Sequence, residues 1–176
     1  MLTIGERVPD FAVPDSTGRQ RTLTEMTAAR SLALVFFAAG NDPRCVRQLR
    51  DFSEHLRAFN AELVNLAAVA VMSTERGDRL RHALDVRFPM LCDADAELCR
   101  AWGLLDDSAK LPSALPGLVV VDREGKLLQL TRGSLDERPS AAESVAALQA
   151  GKPSAPLKAL RPRFADRMAA WRSGGR

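Results

Sequence analysis

The chain has 176 residues, 46% of them apolar, and a net charge of +3. That is the size of one ordinary domain with enough apolar mass for a core, and the 11 Gly and 10 Pro are spread too evenly for a collagenous or low-complexity protein. No run approaches the roughly 18 apolar residues of a membrane span. The N-terminal stretch MLTIGERVPDF has no basic region followed by a long apolar one, so it does not read as a signal peptide. Three cysteines form no regular framework, which points to a reducing compartment; a soluble, cytoplasmic protein is expected.

The charge is unevenly placed. From Gly151 onward seven Lys/Arg face Asp166 alone, which gives the tail +6 and leaves −3 for the first 150 residues. The basic character therefore belongs to the tail. No basic stripe in residues 1–150 alternates with stacking aromatics, so no nucleic-acid partner is expected, and no membrane partner either.

In chain order, GERVPDFAVPDSTGRQRTL (5–23) reads as short extended pieces around a turn at Ser16–Gly18, a hairpin. Ser31–Phe37 is a strand buried on both faces. After Gly40-Asn41 a helix starts: Asp42 suits the N-cap and Pro43 the first helical position. Val46, Leu49, Phe52, Leu56 and Phe59 then lay one apolar stripe on a core. Leu63–Ser73 is a second buried strand, and Thr74-Glu75 opens a helix carrying Leu80, Ala83 and Leu84. VRFPMLCD is a short strand ending at Asp93, and DAELCRAWGLL a short helix stopping near Gly103. A proline-rich approach leads to a strand at Leu118–Val121, a turn at Arg123–Gly125 and an antiparallel strand at Lys126–Thr131. Arg138-Pro139-Ser140 starts a helix with Val145 and Leu148 on one side. The order predicts an α/β sandwich whose mixed sheet is parallel early and antiparallel late. The division is a domain over 1–150 and a basic linker with a C-terminal helix over 151–176, where Phe164, Met168 and Trp171 share a face.

Four segments in this order, GERVPDFAVPDSTGRQRTL, LVFF…DPRCVRQLRDF, FPMLCDADAELCRAWGL and LPGLVVVDREGK, resemble the redoxin group. This is the AhpC/TSA, peroxiredoxin-like branch of the thioredoxin-like superfamily, and the likeness covers roughly residues 4–150. It implies a thioredoxin-like three-layer sandwich, a mixed central sheet flanked by helices, with an N-terminal hairpin and an extra C-terminal helix. It also implies a reactive cysteine at the start of the first long helix, where Cys45 falls. Independently of the family, a sulfur there meets the positive end of the helix dipole and free backbone N–H groups, with Arg44 and Arg47 adding positive charge. Cys45 also sits four residues before Leu49, which is compatible with simple packing of a small apolar residue.

Where peroxiredoxins carry a proline, a Thr or Ser, and an arginine, this chain has Ala38, Asp42 and Pro116. An ionised aspartate cannot donate a hydrogen bond to a peroxide. As an N-cap it would also occupy the N–H groups that otherwise face the sulfur. Against thioredoxin-like oxidoreductases, DPRC stands at the CxxC with Asp42 in place of the attacking cysteine, and Pro116 stands at the cis-proline. Dithiol exchange by such a pair is therefore excluded. Cys92 and Cys99 are the candidates for resolving an oxidised Cys45, against a reading as buried small apolar residues; with no histidine nearby they make a poor metal site. His55 and His82 read as solvated, Asp93 and Asp95 as a strand end and helix cap, and Asp106 and Asp107 as a solvated loop. No cofactor is expected.

Two functional readings follow. In the first, the chain is an antioxidant peroxiredoxin-like thiol oxidoreductase. Cys45 reduces hydroperoxides through a sulfenic acid, and an external thiol reduces the product. In the second, it is a catalytically silent redoxin-fold binding or assembly module. The resemblance implies a homodimer in either case.

Overall fold

The apolar run Leu32–Phe37 lies at the centre of the molecule, with every residue fully buried. A computed structural model describes residues 2–38, 42–108, 111–134 and 137–151, so the tail beyond Gly151, with its expected helix, lies outside the described residues. Strands β1 (Ala12–Pro14) and β2 (Gln20–Thr22) pair antiparallel around the expected turn, where Gly18 supplies a φ of +84°. Helix α1 (Leu23–Thr27) follows directly, capped by the Thr22 side chain.

The central sheet is built from β3 (Ser31–Phe36), β4 (Val64–Ala70), β5 (Met90–Cys92), β8 (Gly117–Val121) and β9 (Leu127–Arg132), in the order β5-β4-β3-β8-β9. β3, β4 and β5 are parallel; β8 and β9 run antiparallel, as the turn chemistry predicts. Because side chains alternate across a strand, β3 feeds two cores. Leu32, Leu34 and Phe36 join Phe11, Trp102 and Val119 on one face, with α1 and α5 (Glu97–Ala101). Ala33 and Val35 join Cys45, Leu49, Phe52 and Val145 on the other. That face carries α2 (Pro43–Glu54), α4 (Thr74–Ala83) and α6 (Ala141–Gln149). The result is the expected three-layer thioredoxin-like sandwich.

Three local differences have clear causes. The single helix expected after Asp42 is interrupted at His55, giving α2 and then α3 (Leu56–Ala61). Phe52 and Phe59 still stack across the break at 5.8 Å, while Val46 and Leu56 are only half-buried. Leu63 adopts a left-handed φ of 57° and is exposed, so β4 starts one residue later than its apolar run suggests. Before β8, the proline-rich approach contains a two-stranded ladder, β6 (Leu105–Asp106) with β7 (Ser113–Ala114). Among the described residues, no helix is long and apolar enough to cross a membrane.

Candidate active site

Helix α2 opens as its sequence predicts. Asp42 is the N-cap, its carboxylate accepting from the Arg44 amide at 2.9 Å, and Pro43 takes the first helical position. The Cys45 amide turns back onto the Asp42 carbonyl, also at 2.9 Å. The first-turn N–H groups of Arg44 and Cys45 are thus both satisfied by Asp42, not offered to the sulfur.

Cys45 lies on the inward face of α2 beside Gln48, Leu49 and Phe52, and is 2% exposed. Its thiol donates to the Ala38 carbonyl at 2.8 Å. Facing it from the other side is a residue the sequence reading did not place at the site, Arg138, in the segment before α6. One terminal nitrogen, Nη1, lies 3.5 Å from the Cys45 sulfur and donates to Gln48 Oε1 at 2.9 Å. The other, Nη2, pairs with Asp42 at 3.2 Å. The Arg138 side chain is only 11% exposed, so this cation is held in a fixed position against the sulfur.

The fold brings Arg138 there through two anchors. Gly133 packs so closely on Pro116 and the Glu137 carbonyl that a Cβ would lie 3.1 Å and 2.5 Å from those oxygens. Its amide donates to the Pro116 carbonyl at 2.7 Å. Beyond Arg138, the Ala141 amide at the head of α6 donates to Asp51 on α2 at 2.8 Å. One signal for this arrangement was legible in the sequence. Gln48, three residues after Cys45, is a polar residue on a buried face and is 4% exposed, a position that demands a partner.

The other expected site residues divide. Arg44 turns its Nε onto both carboxylate oxygens of Asp42, at 3.1 and 3.0 Å, so its charge serves the cap. Hydrogen bonds from the Arg44 backbone and side chain, with the Arg138 cation behind, hold the Asp42 carboxyl below its ordinary value. Arg47 is exposed and has no hydrogen bond or ion pair among the described residues. The cis-proline expectation at Pro116 is corrected: no cis peptide bond occurs among the described residues, so the bond before Pro116 is trans, the ordinary state of X–Pro. Pro116 instead receives the segment that carries Arg138.

All three cysteines are free and buried. Cys92 shares the Cys45 face of the sheet, but it ends β5, two strands from β3, with Gly77 of α4 against its sulfur. Cys99 lies in the core on the opposite face. Burial, with the charges of Asp15 and Glu75 nearby, pushes the Cys92 thiol up to about 11. Burial, with the charge of Asp93 beside it, pushes the Cys99 thiol up as well. Both are therefore poor nucleophiles in the folded chain. Asp93 stands at the strand end as expected, but it is its carboxylate, and not that of the exposed Asp95, that takes up the first-turn amides of α5, Leu98 and Cys99, at 3.2 and 2.8 Å. No group of three or more His, Cys, Asp or Glu among the described residues could hold a metal ion.

The sequence profile described as the AhpC/TSA family matches residues 4–130. A Mycobacterium tuberculosis protein with a provisional peroxiredoxin name is 29% identical over 131 residues, covering 72% of this chain and 83% of that protein. Peroxiredoxin Bcp of Escherichia coli is 24% identical over 136 residues, with the same shares covered. Among solved structures, Peroxidoxin BcpB of Mycobacterium tuberculosis superposes with a TM-score of 0.76 at 21% identity, covering 85% of this chain and 98% of that one. That likeness confirms the thioredoxin-like fold. With its profile match over most of the length, its sheet order and its cysteine at the head of α2, the chain belongs to the AhpC/TSA family of peroxiredoxin-like proteins.

Proposed function

We propose that this peroxiredoxin-like thiol oxidoreductase uses Cys45 as its only reacting cysteine and reduces hydroperoxides by a sulfenic acid. The observation that carries the reading is the Arg138 guanidinium 3.5 Å from the Cys45 sulfur. A cation held there stabilises negative charge on sulfur and presents N–H donors to a bound peroxide. The Cys45 thiolate attacks the terminal oxygen of the hydroperoxide; the O–O bond breaks, the terminal OH stays on sulfur, and the alkoxide leaves as the alcohol by taking up the proton that the thiol released on ionising. Sulfur gives up two electrons and becomes a sulfenic acid. An external thiol then condenses with it, releasing water, and a second thiol frees Cys45. Arg138 takes over donor work that Asp42, an acceptor when ionised, cannot do. Three free cysteines suit a reducing, cytoplasmic setting, and the homodimer implied by the resemblance is read out by light scattering on the full chain.

The second reading, a silent binding module, is favoured by one observation: Cys45 is 2% exposed with its thiol already bonded to Ala38. One experiment separates the two. Sulfenic acid formation with hydrogen peroxide is timed in the natural chain, Cys45→Ser, Arg138→Met and Asp42→Thr. The enzyme reading expects a rate well above that of a free thiol, lost with Cys45→Ser and reduced by Arg138→Met. A natural chain no faster than a free thiol, accelerated by Asp42→Thr, establishes the silent module.

A further inference from the structure

A groove opens at the end of the sheet opposite Cys45. It lies where β4 and β5 begin, beside α1 and α3, and has a volume of about 350 Å³. Because β3, β4 and β5 are parallel, Cys45, bonded to Ala38 just past the end of β3, stands at their other end. Met26, Leu66 and Phe88 form the buried lining of the groove, and the half-buried Leu56 and Pro89 add to it. Arg21 and Arg87 line it with their charges already met, Arg21 by Asp15 at 2.8 Å and Arg87 by Asp85 at 3.1 Å. A neutralised guanidinium keeps a flat face on which an aromatic ring can stack. Asn60, also in the lining, is exposed and makes no side-chain hydrogen bond among the described residues. Leu63, between Asn60 and the Asn65 of the same groove, is 62% exposed. Apolar lining, stacking surfaces and an exposed leucine thus meet in one place.

We infer that this groove is the docking surface for the chain's own C-terminal segment, residues 160–176, seated through Phe164, Met168 and Trp171. Gln149, the last residue of α6, donates to Glu62 at 3.1 Å, and Glu62 is two residues past Asn60. The chain at Gly151 therefore stands close to the groove. Thirteen residues separate Gly151 from Phe164, a reach of up to about 45 Å, which is ample. All seven aromatic residues among the described ones are buried, and the chain's other two are Phe164 and Trp171. With Met168 they recur at spacings of four and three, the interval of one helical face. Charge favours the same pairing, since residues 151–176 carry +6 and the first 150 residues −3. A tethered segment also meets its seat at an effective concentration on the order of millimolar, ahead of a free partner of equal affinity. Docking at this end leaves the Cys45 site open, so the inference stands apart from the chemistry of that cysteine.

The test is acrylamide quenching of tryptophan emission in the full chain. Trp102 is fully buried, and subtracting the emission of a Trp171→Phe chain leaves the signal of Trp171 alone. A synthetic peptide of residues 157–176 gives the value for a freely exposed ring. Trp171 in the natural chain should be quenched about threefold less than in the peptide, at every protein concentration. The Asn60→Lys/Leu63→Asn variant sets a like charge before the basic segment and removes apolar surface, both at exposed positions. Leu63 has a left-handed φ of 57°, which Asn tolerates, so the fold is kept. This variant should bring quenching back toward the peptide's value, with the circular dichroism spectrum and the rate with hydrogen peroxide unchanged. Phe164→Ser/Met168→Ser, placed on the segment itself and so independent of the domain's folding, should do the same. Trp171 quenched as freely in the natural chain as in the peptide overturns the inference, and shielding that appears only with anionic vesicles assigns the segment to a membrane surface and overturns it too. Shielding that survives the groove variant places the segment elsewhere, and shielding found only at high protein concentration assigns the groove to a second copy; either result overturns the inference.

Discussion

Arg138 and Cys45 stand ninety-three residues apart in the chain and 3.5 Å apart in space. The contact is the organising relationship of the site, because the same guanidinium also reaches Gln48 and Asp42. A single planar fork thereby ties the cap of α2, its inward face and the head of α6 to one sulfur.

The first prediction concerns that fork. Arg138→Met should slow sulfenic acid formation at Cys45 by about 10- to 100-fold, the range expected from losing one charge-assisted hydrogen bond. Arg138→Lys should recover only part of the rate, since an ammonium restores charge but not the planar geometry that reaches all three partners. Stopped-flow kinetics with hydrogen peroxide read both variants.

The second isolates the charge of Asp42 from its cap. Asn is as good an N-cap as Asp, so Asp42→Asn should keep the start of α2 while leaving the Arg138 cation unpaired on that side. The expected outcome is a several-fold faster reaction with hydrogen peroxide and an unchanged circular dichroism spectrum. A slower reaction would show that Asp42 positions Arg138 and that its neutralising charge matters less.

A third prediction tests the packing of α4 on β5. Gly to Ala inside a helix ordinarily stabilises by about 1 kcal/mol. At Gly77, however, the new Cβ would lie 2.5 Å from the Cys92 sulfur and 3.3 Å from the Ser16 Cβ. Gly77→Ala should therefore destabilise by about 1–3 kcal/mol. In a Cys92→Ala background, where the sulfur is gone, at least half of that cost should disappear. Urea unfolding of the four chains forms a double-mutant cycle that measures the coupling.

The fourth is a pH dependence. The Cys92 thiol is raised from 9.0 to about 11 in the folded chain, so between those values the native state holds a proton that the unfolded state has released. The stabilisation is present in full below about pH 9 and is lost as pH rises through about 11. Across that window Cys92 alone contributes a decline of about 1.4 kcal/mol per pH unit. Urea midpoints from pH 7 to pH 10.5 should fall more steeply in the natural chain than in Cys92→Ala. Parallel curves would show that Cys92 ionises in the folded chain as readily as in the unfolded one.

What the sequence by itself determined is what local rules can carry. Uninterrupted apolar runs marked β3 and β4; Asp42 and Pro43 marked the start of α2; turn residues separated β8 from β9 and stopped α5 at Gly103. Those signals act over a few residues, through capping, steric restriction and alternation of side chains, so they are legible without the fold. The break at His55 was not, because Phe52 and Phe59 keep their stacking across it and the apolar spacing looks continuous. Nor was the division of the cysteines, since which face of a sheet a residue reaches depends on how the helices close over it. Above all, the site looked incomplete in sequence, with Ala38, Asp42 and Pro116 at the expected activating positions. The tertiary structure supplies a cation from elsewhere. Close packing of Gly133 on Pro116 and the bond from Ala141 to Asp51 carry Arg138 across to Cys45. A contact between residues ninety-three apart is fixed by the packing of a sheet and two helices, and no local pattern encodes it.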